Sequence, residues 1–148
     1  MSLLEQLTKE IKSAMLARDA DRLSTLRLLK SAIGYVQIER KSDELSDSDF
    51  IAVVQKEIKK RRDSVEQYER GGRTELAARE KQEIPVLESF LPAPLSPEEL
   101  EQLIRAVIQE VGATGRKEMG AVIKAVQTKA AGRADGKSIS AMVGRLLS

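Results

Sequence analysis

The chain has no cysteine, no histidine and no tryptophan, and its aromatics are only two tyrosines and two phenylalanines in 148 residues. Without thiol or imidazole it lacks thiolate nucleophiles, the usual zinc ligand sets and every triad whose base is histidine. The remaining carboxylates, lysines and hydroxyls are ordinary on solvated helix faces, so no catalytic residue, metal site or cofactor is assigned. The shortage of aromatics leaves few platforms for stacking bases. Any RNA partner is therefore expected to be structured and read through its backbone and shape. Long apolar runs are missing too. Glu5, Lys9, Glu10 and Lys12 interrupt the opening segment, and no stretch approaches the ~20 apolar residues that span a bilayer. The expectation is a soluble, cytoplasmic protein with no membrane partner.

What is present is helical periodicity. Leu4, Leu7, Ile11 and Met15 form one stripe, and Leu23, Leu26, Leu29 or Lys30, Ile33 and Val36 form a second after the polar break at Asp19-Ala20-Asp21. Ser46 to Asp49 supply capping acceptors for a third helix that carries Phe50 or Ile51, then Val54, Ile58, Val65 and Tyr68, to a stop at Gly71-Gly72. A fourth starts near Thr74, with Leu76, Ala77, Ile84, Leu87 and Leu91 inside and Pro85 expected to kink or divide it. No strand pattern occurs.

Three of the four prolines fall between Leu91 and Pro97, where each disfavours helix in the residue before it. Ser96-Pro97-Glu98-Glu99 then reads as a helix start, with a capping hydroxyl, proline at the first helical position and a carboxylate to complete the box. Leu100 to Val111, Met119 to about Ala131 and Gly136 to Leu147 follow as three short helices. The predicted fold is all-α and multihelical: residues 1–91 as an N-terminal helical bundle, 92–95 as a proline-rich linker, and 96–148 as a small basic three-helix domain.

Positive charge is localised in that last part. Residues 1–91 balance at 17 basic and 17 acidic, whereas Arg116, Lys117, Lys124, Lys129, Arg133, Lys137 and Arg145 face only Glu118 and Asp135. These seven are the candidate RNA-binding residues, with anions expected near the helix starts at Arg116-Lys117 and Gly136-Lys137. The run Ala131 to Ser138 nearly spells a P-loop, but its first glycine is misplaced and a helix, not a strand, precedes it, which argues against ATP. Arg70-Gly71-Gly72-Arg73 could also cradle an anion, although such glycines more often only turn the chain. Within the basic run from Lys56 to Arg62, the wheel places Arg61 and Arg62 at the core edge, and a pairing with Glu80 is expected.

The stretch Ile58 to Tyr68, then Gly71-Gly72-Arg73, Leu76-Ala77, Glu80, Glu83-Ile84 and Leu91-Pro92, together with Lys117-Glu118-Met119-Gly120 and Gly132 to Lys137, resembles the YqeY family. Leu26 to Ile33 matches in the second helix, so the resemblance covers nearly the whole chain. The family is similar to the C-terminal tail domain of the tRNA-dependent amidotransferase B subunit. That likeness implies an all-helical, non-catalytic helper module whose partner is tRNA or an enzyme that processes aminoacyl-tRNA. Two alternatives stand beside it: an adaptor docking on proteins by its C-terminal helices, and an accessory to glutamine-dependent carbon-nitrogen ligase chemistry.

Overall fold

The computed structural model describes residues 1–147, and among them there are seven α-helices, a single 3₁₀ turn and no strand. The helices are α1 (Leu3–Leu16), α2 (Ala20–Arg40), α3 (Asp47–Arg70), α4 (Thr74–Glu88), α5 (Pro97–Val111), α6 (Met119–Ala130) and α7 (Gly136–Leu147). The chain divides into two compact units, Met1–Leu91 and the part from Pro92 onward.

In the first unit, α3 and α4 form a hairpin against which α1 and α2 pack. Ser2 caps α1 and Ser46 caps α3, each accepting a hydrogen bond from a first-turn N–H. The inward stripes bury Leu7, Leu26, Leu29, Ile33, Phe50 and Leu87, and the Phe50 and Phe90 rings meet at 5.6 Å with a 51° tilt. The first stripe ends differently from its periodicity. Ala14, not Met15, is buried, and Met15 is 53% exposed. Ala14 stands about two helical turns from the buried Leu7 and so on the same side of α1, whereas Met15 is turned away from it; just beyond, Arg18 takes φ 56° and the Asp19 N–H reaches back to the Ala14 carbonyl at 3.1 Å. Pro85 does not divide α4, which continues through it to Glu88.

The second unit has its own core, in which Ile104 and Val107 of α5 meet Val122 and Val126 of α6 and Ile139 and Val143 of α7. Ser96 and Glu99 form the expected capping box at the start of α5, and Pro97 stands at its first position. The last turn of α6 closes on Ala131, in the left-handed region at φ 48°, with Gly132 following at φ 87°. The left-handed turn that ends α6 thus falls on an alanine as well as on the glycine after it, and the alanine bears the strain of that conformation. Within this unit the Leu95 N–H donates to the Arg133 carbonyl and Arg133 Nε donates to the Ala93 carbonyl, both at 2.8 Å. Among the described residues no helix is long and apolar enough to cross a membrane.

Candidate nucleic-acid interface

The seven basic residues of the second unit fall into two groups. Lys129 reaches Glu110 at 2.6 Å, Arg145 reaches Glu101 at 3.0 Å, and Arg133, besides holding Ala93, lies 3.9 Å from Glu99. Their charges are thus partly met within the chain. The Glu99 carboxyl is held below the usual carboxylate range by its hydrogen bonds at the Ser96 cap, with Arg133 adding a smaller pull. Lys137 is exposed in the first turn of α7. At that helix start Asp135 accepts from the Ser138 N–H at 2.6 Å, so a carboxylate already occupies the place where a phosphate was expected beside Gly136.

Arg116, Lys117 and Lys124 form the other group. All three are exposed, and none makes a salt bridge among the described residues. Arg116 and Lys117 lie on the 3₁₀ turn (Arg116–Glu118) that leads into α6, and the one acid of that turn, Glu118, bends back to accept from the Gly115 N–H at 3.2 Å. Lys124 stands on the solvent side of α6, with Gly120 and Ala121 exposed one turn before it and Val122 and Val126 buried on the other side. The N-terminus of α6 has no side-chain cap.

Gly120 stands in the sequence only as one glycine among the basic residues and the family motif, and the structure shows what surrounds it. It lies inside a helix, and a Cβ built on it meets nothing within 4 Å. Its own fold therefore has no use for the missing side chain, although glycine in a helix costs about 0.5–1 kcal/mol relative to alanine. A glycine and an alanine between unpaired cations leave a low strip on which a sugar-phosphate backbone can approach the helix closely.

The basic run of α3 serves structure. Arg61 is only 8% exposed, and its Nε donates to Glu83 at 2.8 Å while Nη1 donates to the Glu57 carbonyl at 3.1 Å and lies 3.6 Å from the Glu57 carboxylate. Lys60 adds a contact to Glu57 at 3.2 Å, and Arg62 lies 3.9 Å from Glu88. The expected partner, Glu80, pairs with neither arginine. Arg61 and Glu83 each stand eleven residues from Gly72, so they lie level across the hairpin, whereas Glu80 lies nearer the turn. Burial raises the Glu80 carboxyl above its ordinary range, Glu83 adds to the rise, and Arg61 partly opposes it. Gly71 and Gly72 end α3 and turn the chain, with the Arg73 N–H donating to the Tyr68 carbonyl at 2.7 Å.

These features define an all-helical, two-unit protein with a basic strip on its smaller unit and no group of acidic side chains placed to hold a metal among the described residues. The chain belongs to the YqeY family, whose profile, described as "Yqey-like protein", matches residues 4–147. It is 29% identical over 107 residues to "Altered inheritance of mitochondria protein 41, mitochondrial" of Vanderwaltozyma polyspora, an alignment covering 71% of this chain and 58% of that protein. It is 36% identical over 84 residues to an uncharacterized protein of Schizosaccharomyces pombe, covering 57% of this chain and 68% of that one. A third relative, the Lachancea thermotolerans protein of the same name as the first, is 33% identical over 85 residues, or 57% of this chain and 46% of that protein. The chain thus spans roughly half to two thirds of the length of these curated relatives.

Proposed function

We propose that the second unit binds structured RNA, tRNA in particular, as a non-catalytic helper module, through the strip of Arg116, Lys117 and Lys124 on the 3₁₀ turn and α6. The observation that carries this reading is the set of three exposed cations without an internal partner, arranged around Gly120 and Ala121 on one helix surface. The family's likeness to the tail of the amidotransferase B subunit supports it. So does the use of Lys60, Arg61 and Arg62 in the most basic segment of the first unit, which are paired with acids of their own unit. Lys137 and Arg145 extend the positive surface, while Arg133 acts mainly in holding the linker. The expectation of a cytoplasmic protein stands beside relatives whose names place them in mitochondria, and RNA binding of this kind does not depend on the compartment.

The test is salt-dependent binding of unmodified tRNA. Changing Lys117 and Lys124 together to glutamate should weaken binding at low salt and reduce the slope of log affinity against log salt by about 0.9 for each phosphate no longer neutralised. Lys56 and Lys59, exposed on α3 and without salt bridges among the described residues, provide a charge-matched control. Equal losses in both variants would reduce the effect to net charge, and no loss in either would refute the reading.

The adaptor reading has one observation in its favour, a shallow groove lined by Arg105, Ile108, Ala113 and Leu146 beside Val111, which is 46% exposed. A partner held there by apolar contact would bind with little salt dependence. Amide transfer by the purified chain, given glutamine, ATP and misacylated tRNA, is expected to be absent.

A further inference from the structure

Among the described residues of the first unit no helix covers the outward face of α2, yet that face is built like an interface. Leu28, Tyr35 and Ile38 are 48%, 76% and 77% exposed. From Ser24 to Ile38 the same face carries Ser24, Arg27 and Ser31 and no carboxylate, with the acids Asp21 and Glu39 standing beyond its two ends. Gly34, in the middle of the helix, meets nothing within 4 Å at a built Cβ. As a helix-interior glycine it weakens α2 without serving any contact inside the chain. A face of this composition fits another helix backbone coming close.

We infer that α2 packs antiparallel against α2 of a second copy, around a two-fold axis at Ser31. The sequence is complementary to itself about that point. Positions equally distant from Ser31 oppose each other in an antiparallel pair, which sets Leu28 against Gly34, Ser24 against Ile38, and Arg27 against Tyr35. Leu28 and Ile38 each thereby meet a small residue, which favours close helix packing at an isologous contact. Arg27 makes no salt bridge among the described residues, and the Tyr35 ring of the other copy offers it a π face. The two Arg27 side chains stand eight residues apart in register, about 12 Å along the helix axis, so they do not crowd one another. The contact is one helix face on each side, smaller than the ~800 Å² per partner of a typical stable complex, and the association is accordingly weak and concentration-dependent.

Sedimentation equilibrium of the full chain, freed of nucleic acid, should reveal a monomer–dimer equilibrium up to several hundred micromolar. Raising the salt should not weaken it, because two Lys30 side chains flank the axis and the apolar pairs are insensitive to screening. This separates self-association from bridging by RNA and makes the test independent of the tRNA reading. Gly34→Gln should weaken association at least tenfold while circular dichroism and the unfolding midpoint confirm an intact or firmer helix, since a Cβ at this position meets nothing within 4 Å in its own chain. The chain has no cysteine, so Ser31→Cys gives a single thiol, which a short bis-maleimide should cross-link into dimers far more efficiently than Ser140→Cys on α7. A monomer at all concentrations, an unchanged association in Gly34→Gln, or equal cross-linking at both thiols would overturn the inference.

Discussion

Arg61 is the residue on which the first unit depends most directly among its polar groups. Its guanidinium is buried between the carboxylates of Glu57 and Glu83, and removing it takes this counterion from Glu83 and leaves the buried Glu57 with Lys60 alone among the described residues. Arg61→Leu is expected to destabilise the chain by about 3 kcal/mol in denaturant unfolding, whereas Arg62→Leu, at an exposed and looser pair with Glu88, should change stability by less than about 1 kcal/mol. Glu80 has the opposite problem, a carboxyl close to another carboxyl and partly removed from water. Because its folded value is raised above 4.5, it binds its proton more tightly in the folded chain. Stability therefore falls as pH rises from the ordinary value through the raised one. Glu80→Gln, which resembles the protonated form, should raise the thermal midpoint at neutral pH and leave it nearly unchanged at pH values below the ordinary glutamate range. A variant less stable than the parent at neutral pH would show that the attraction of Arg61 dominates instead.

At the scale of elements, the helices and their ends were the most legible part of the chain. Ser96, Pro97 and Glu99 announce α5 by side-chain chemistry that acts within one turn, and the structure contains each of those bonds. Ser96→Ala should cost about 1 kcal/mol of unit stability, measured as a lower midpoint in denaturant. Long-range register was less legible. The wheel places Glu80 and Glu83 by angle alone, and only the hairpin fixes which one lies level with Arg61. Similarly, the apolar spacing extends to Met15, but Ala14, about two turns from Leu7, is the last inward residue, and an alanine carries little hydrophobic signal in a stripe of larger side chains. For the candidate site, the basic residues were readable as charge, but their division was not. Lys129 and Arg145 find acids on α5, nineteen and forty-four residues away, distances over which a single sequence carries no pairing signal. Gly120 was readable as a glycine inside a helical stretch, and its meaning depended on knowing that the space around it is empty. Gly120→Ala should stabilise α6 by about 0.5–1 kcal/mol, and a bulkier Gly120→Leu should weaken tRNA binding without loss of folding.

For the molecule as a whole, two cores built from separate stretches of chain mean that the larger unit contains all it needs for its own burial. A fragment ending at Leu91 should retain helical circular dichroism and a cooperative thermal transition, and a non-cooperative melt would count against an independent core. The smaller unit is different in one respect. Its first residues are tied to Arg133 by two hydrogen bonds, one in each direction, from Leu95 and to Ala93. Those bonds join points some forty residues apart in sequence, so neither forms until nearly all of the unit exists. During synthesis the proline segment leaves the ribosome well before its anchor does, and it remains untied until Arg133 has emerged. A nascent chain stalled between α5 and α7 would thus present a completed first unit followed by an unfastened tail open to proteases, and that tail would close only once the loop between α6 and α7 had emerged.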